Sequence, residues 1–182
     1  MQHPLSLIPE KRRRPIFFLL LVLTALTIGG MQAVSGPLST EAAPAGIISY
    51  EFAGDSPGAQ AILDSWSAPV RVRVGLNLGL DFLFLALYST TIACACAWIA
   101  GALPAAASSL GIALAWGQWL AALLDTVENI ALLNILLNVP ASPWPQIARL
   151  CAVFKFALVF LGLLYALMGG IWLVWTARQR PA

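Results

Sequence analysis

Charged side chains are scarce in this 182-residue chain: lysine and arginine total 10, aspartate and glutamate 8, together 10% of the residues. A soluble domain carries roughly 25%, so the shortage excludes a chain that keeps most of its surface in water. The net charge of +2 is too small for a nucleic-acid-binding surface, and no nucleic-acid partner is expected. Histidine occurs once, as His3, which removes a histidine-built haem or zinc centre. Cysteine occurs three times, as Cys94, Cys96 and Cys151, with no CxxC pair. Cys94 and Cys96 stand two apart on a helical pattern and face different ways, so they cannot readily bridge. All three read as small packing residues. Glycine-rich phosphate loops, nucleophile elbows, HExxH and EF-hand patterns are missing, as is any internal repeat. No metal or other cofactor is expected, and no motif commits the chain to being an enzyme.

Hydrocarbon fills the space that charge leaves. The chain is 60% hydrophobic, its mean hydropathy is +0.84, and it contains several apolar runs of about 20 residues, the length that crosses a bilayer. The pattern predicts an all-α integral membrane four-helix bundle with spans over about 15–34, 74–100, 109–138 and 150–176. These form one transmembrane domain, residues 15–176, between a basic tail (1–14) and a short tail (177–182). Pro15 opens the first span, after Lys11-Arg12-Arg13-Arg14. A basic region, an apolar core and Ala33-Val34-Ser35 also fit a cleavable signal peptide. A retained helix is preferred, because the apolar run approaches spanning length.

Residues 35–73 form the one long loop, rich in Pro, Gly, Ser and Ala. Asp55-Ser56-Pro57 signals a helix start, Ala59, Ile62, Leu63 and Trp66 follow helical spacing, and Ser67-Ala68-Pro69 stops it. A short amphipathic helix lying on the membrane, with Trp66 at the interface, is the expectation. Residues 47–52 alternate too briefly to assign. Trp66, Trp144, Trp172 and Trp175 fit an aromatic belt. Six basic residues lie in the two tails (Lys11, Arg12, Arg13, Arg14, Arg178, Arg180) and three on the opposite side (Arg71, Arg73, Arg149). The positive-inside rule then places both termini in the cytoplasm, with the loop outside.

The polar centre lies in residues 123–137, LLDTVENIALLNILL. Asp125, Glu128 and Asn129 sit at i, i+3 and i+4 there, a polar stripe on one face of a lipid-soluble helix. Such groups usually face a bundle interior or a watery cavity. At 1.5 Å per residue, Asp81 lies about 12 Å beyond Arg73 and Lys155 about 9 Å beyond Arg149, while Asp125 and Glu128 lie roughly 20 and 15 Å before Asn138. Three helices therefore bring charge to the same outer half of the bilayer. Asn77, Asp81, Leu85 and Tyr88 share one face of the second span, Gln118 joins the stripe of the third, and Cys151, Lys155, Gly162, Tyr165 and Gly169 share one face of the fourth.

The cluster holds three acids and one lysine. Lys155 pairs with one carboxylate, and the others need Arg71, Arg73 or Arg149, water, or a proton. Glu51 and Asp55 could cap the centre, though an acidic solvated loop is the simpler reading. Several roles stay open. Buried polar residues can simply join helices, as in a scaffold or assembly protein that holds a partner membrane protein. They can instead receive a lipid ligand, or move ions or protons. That last role is the weakest, since the cytoplasmic halves of the helices are poor in polar residues. The alternative is a small membrane enzyme on a lipid or isoprenoid-like substrate, with an Asp/Glu pair as acid and base and Lys155 steadying negative charge.

At LDFLFLALY (residues 80–88) and LLDTVENIALL (123–133) the chain resembles uncharacterised bacterial four-helix inner-membrane proteins. The likeness covers most of residues 47–170. It implies the four-helix layout and carries no activity or catalytic residue with it.

Overall fold

The computed structural model describes residues 2–137 and 142–179. Asn138 and Arg180, used above for a helix end and for the charge count, lie outside the described residues, as do residues 139–141. Six α-helices follow one another: α1 (Glu10–Ser35), α2 (Ile47–Glu51), α3 (Ser56–Ser65), α4 (Ala68–Ala100), α5 (Ala105–Leu137) and α6 (Trp144–Arg178). Four of them, α1, α4, α5 and α6, are long and apolar enough to cross a membrane. The 33 residues of α4 rise about 50 Å at 1.5 Å each, well beyond the ~30 Å of bilayer hydrocarbon. The chain is thus a multi-pass membrane protein of the all-α, four-helix class.

Each long helix begins earlier than the apolar pattern indicates, and proline explains two of the three clearest cases. Pro69 occupies the first turn of α4 and Pro145 the first turn of α6, where a missing N–H is harmless. The Ser67-Ala68-Pro69 segment therefore ends α3 and starts α4 together. For α1, the helix-forming run from Glu10 through Arg14 extends the span backwards through Pro15. Arg13 secures this start by donating to the carbonyls of Ile8 (2.8 Å) and Ser6 (3.1 Å). His3, in the polar tail, is fully buried against Trp116 and Trp119.

The helices α4, α5 and α6 pack on one another, while α1 packs along α4. Small residues permit the close approaches. At Gly162 of α6 any Cβ would meet the side chain of Gln118 on α5, and at Gly111 of α5 it would meet the Tyr165 ring. Gln118 Nε2 donates to the Leu158 carbonyl at 2.8 Å, joining α5 to α6.

The loop between α1 and α4 folds into a cap. Asp55 caps α3 as its position in the sequence suggests, accepting from the Gly58 N–H at 2.7 Å. Arg71 ties the other end of α3 by donating to the carbonyls of Leu63 (2.6 Å) and Trp66 (3.2 Å). Residues left unassigned by their brief alternation form α2. Trp66 is buried in protein rather than presented to lipid. It is 2% exposed, stacks edge-on against Tyr50 and donates its indole N–H to the Leu38 carbonyl at 2.9 Å. The apolar face of α3 had a protein partner available: Leu78, Leu132 and Ile135 of α4 and α5, in one buried cluster with Ile62 and Leu63. Packing the face there removes the need for lipid.

Because Trp66 anchors the cap through both its ring and its N–H, Trp66→Ala should destabilise the protein by about 3–5 kcal/mol. Trp66→Phe, which keeps a ring but loses the hydrogen bond, should cost about 1 kcal/mol. Unfolding in mild detergent, followed by tryptophan-independent circular dichroism, reads both.

Candidate functional site

Depth along the helices decides which polar groups meet. Asp81 lies 13 residues into α4 and Lys155 11 into α6, while Asp125 lies 12 before the end of α5. These offsets place all three about 17–20 Å from the same end of the bundle, beneath α2. The structure accordingly brings Asp81, Asp125, Glu128, Asn129 and Lys155 into one buried cluster.

Lys155 is its hub. The ammonium donates to Asp125 Oδ1 at 2.7 Å and to Glu128 Oε1 at 2.8 Å, and it stands 3.8 Å from Glu51 Oε2. Tyr88, on α4, donates its hydroxyl to Asp125 Oδ2 at 3.0 Å, so both oxygens of Asp125 are occupied. Asn129 donates to Asp81 Oδ2 at 2.6 Å. A neutral amide rather than a cation therefore holds the fourth acid. Asn77 sits further up α4 and donates to the Ser35 hydroxyl at 3.0 Å, joining α4 to α1. Gln118 takes part elsewhere, in the contact between α5 and α6 described above.

The three arginines do not supply countercharge. Arg71 serves the end of α3 and lies 3.7 Å from Asp64, Arg149 lies against Gly54, and Arg73 is exposed on α4. Their side chains are long enough to reach solvent or the cap, so they stay where hydration costs less. Glu51 is the residue that sequence reasoning set aside. Its loop position suggests a solvated acid, yet it is only 8% exposed. The cause is a long-range contact of its neighbour. Tyr50 donates its hydroxyl to the Leu132 carbonyl at 3.1 Å, and an aromatic group pinned at residue 50 turns its neighbour Glu51 toward the bundle. Asp55, also on the loop, is spent on capping α3.

Two carboxylate oxygens are left over: Glu51 Oε2 and Glu128 Oε2 are fully buried and accept no hydrogen bond among the described residues. Burial lifts the affinity of Glu51 for a proton above the ordinary carboxylate range, with the Lys155 ammonium opposing the effect.

A cavity of about 450 Å³ opens beside the cluster. Glu51, Asn77, Asp81, Asp125 and Lys155 line the end beneath α2. Its other part is mostly apolar, walled by Ile28 of α1, Phe84 and Ile92 of α4, and Val159 and Leu163 of α6, with Thr24 and Tyr88 as its polar groups. From Asn77 to Ile92 its wall follows α4 for 15 residues, about 22 Å. The cavity occupies the gap between α1 and α6, the two least buried of the four long helices. No long helix closes that gap among the described residues. The site is a side-opening cleft with an acidic head end and a hydrocarbon end, in a four-helix membrane protein. Comparison with protein-family models, with curated proteins and with solved structures finds no match for this chain.

The hub makes two outcomes measurable. Lys155→Met leaves Asp125 and Glu128 buried without their cation and should destabilise the protein by about 3–5 kcal/mol, read by unfolding in mild detergent. The raised proton affinity of Glu51 fixes a sign as well. A carboxyl whose folded pKa lies above its ordinary 4.5 stabilises the fold fully below that value and loses this contribution as pH rises. In lipid-stripped protein, Glu51→Gln should therefore melt above wild type at pH 8, the gap closing on acidification toward pH 4.5.

Proposed function

We propose that this protein is a binding protein of the bacterial inner membrane that takes one amphiphilic, lipid-like molecule through the gap between α1 and α6. The cleft itself carries the reading: its charged groups gather at one end, and the rest of its wall is mostly hydrocarbon, interrupted by Tyr88 and Thr24, which is the polarity of an amphiphile. Ligand sites of a few hundred cubic ångströms lined by apolar groups with a few fixed polar ones are the general pattern. The helix-joining role of Lys155, Asp125, Glu128 and Tyr88 belongs to the same reading, since a fixed network holds the head end in shape when the cleft is empty.

Orientation follows from charge. The basic run at Lys11, Arg12, Arg13 and Arg14 supports a cytoplasmic N-terminus, and four spans return the C-terminus to the same side. The cap and the head end of the cleft then face the outer leaflet. Retention of α1 is part of the proposal. It supplies Thr24, Ile28, Met31, Gln32 and Ser35 to the cleft wall, and Thr24 and Thr91 share a hydrogen bond of 3.0 Å across α1 and α4.

Native mass spectrometry in mild detergent, with extraction of whatever accompanies the protein, tests the reading. Wild type should carry one lipid-like molecule, at an intact mass that includes residues 1–35. Ile28→Trp, which fills the cleft from its α1 wall, should melt like wild type and lose the adduct. A bare wild-type protein that also fails to take up added amphiphile would remove the proposal.

A further inference from the structure

Resting on the cleft reading above, the chemistry of its head end narrows the occupant. Four carboxyl groups, Glu51, Asp81, Asp125 and Glu128, surround a single ammonium, Lys155. The ammonium is already committed to Asp125 and Glu128 through short hydrogen bonds. No arginine lines the cavity, so nothing there is free to neutralise a phosphate or carboxylate head. An anionic head would face Glu51 and Asp81 directly.

Acceptors, by contrast, are in surplus on the cavity side. Glu51 is 8% exposed and lines the cavity; its Oε2 is fully buried, 3.8 Å from the Lys155 ammonium, which leaves Oε1 as the oxygen able to face the cavity. Asp81, on the opposite wall, has one oxygen held by Asn129 and is half-buried at the cavity surface. A cation entering between them would offset the excess negative charge, and N–H donors on it would satisfy the open oxygens. A quaternary ammonium meets the first demand and fails the second.

We infer that the cleft selects an amphiphile with a protonated primary amine as its head, the ammonium donating to Glu51 and Asp81 while one apolar chain lies along Ile92, Val159 and Leu163.

Four probes with the same twelve-carbon tail test this: dodecylamine, dodecyltrimethylammonium, dodecanol and dodecyl phosphate, each at equal mole fraction in dodecyl maltoside micelles at pH 7. Binding to purified, lipid-stripped full-length protein is read by native mass spectrometry and by the shift in melting temperature. Dodecylamine should bind about tenfold or more tightly than dodecanol or dodecyltrimethylammonium, because it alone brings both a positive charge and N–H donors, and dodecyl phosphate should bind least. Glu51→Gln and Asp81→Asn should each reduce the preference for the amine over dodecanol by about tenfold. Ile28→Trp should abolish binding of every probe. Phosphate binding as well as amine, or an amine preference that survives both head-end substitutions, overturns the head assignment with the cleft left standing. Equal binding of the two ammonium heads overturns the requirement for N–H donation. Failure of all four probes overturns the cleft reading itself.

Discussion

One lysine inside hydrocarbon is the constraint from which the rest of this structure follows. Lys155 would be prohibitively costly at its depth without a partner, and so would Asp125 and Glu128. Placed together they largely offset one another, and the offset holds only while α5 and α6 keep their rotation and depth. Tyr88 extends the same condition to α4 through Asp125, and Asn129 extends it through Asp81. Apolar side chains could not impose this register, because in lipid they have the same surroundings on every face of the helix. The polar network therefore specifies which faces meet, and small residues such as Gly162 let them meet closely.

Much of this arrangement is legible in the chain. Lipid leaves only helices as spanning elements, so the apolar runs announce four of them, and the spacing of Asp125, Glu128 and Asn129 announces the face that turns inward. Depth could be counted along each helix from Asp81 and Lys155 because an α-helix rises evenly. Contacts that depend on how a loop folds were out of reach. The role of Glu51 depends on Tyr50 finding the carbonyl of Leu132, a partner 82 residues away. The burial of Trp66 likewise depends on Leu38 and on a hollow between α4 and α5. His3 was hidden for the same reason: its pocket is made by Trp116 and Trp119, at the opposite end of the bundle.

Segment ends behaved differently from segment middles. Proline interrupts a periodic pattern, and the pattern places it at a boundary. Its physical tolerance is for the first turn of the helix that follows. Pro69 and Pro145 both take that position, so two helices reach further than their apolar runs. The extra turns carry the bundle past the hydrocarbon and give the cap a surface on which to rest. The cleft head end owes its cover to that surplus length.

The order in which the charges leave the ribosome gives the hub a further meaning. The acids of α5 are made before the lysine of α6 that neutralises them, since Asp125 and Glu128 precede Lys155 by about one helix length. When α5 first meets the membrane its two carboxyl groups have only Tyr88 of α4 for company. In the finished fold the charge at that depth of α5 is met only by α6 among the described residues, so the two helices depend on each other there. Lys155 acts on assembly as well as on the finished fold: a chain that stops short of it leaves α5 with no charge partner at that depth.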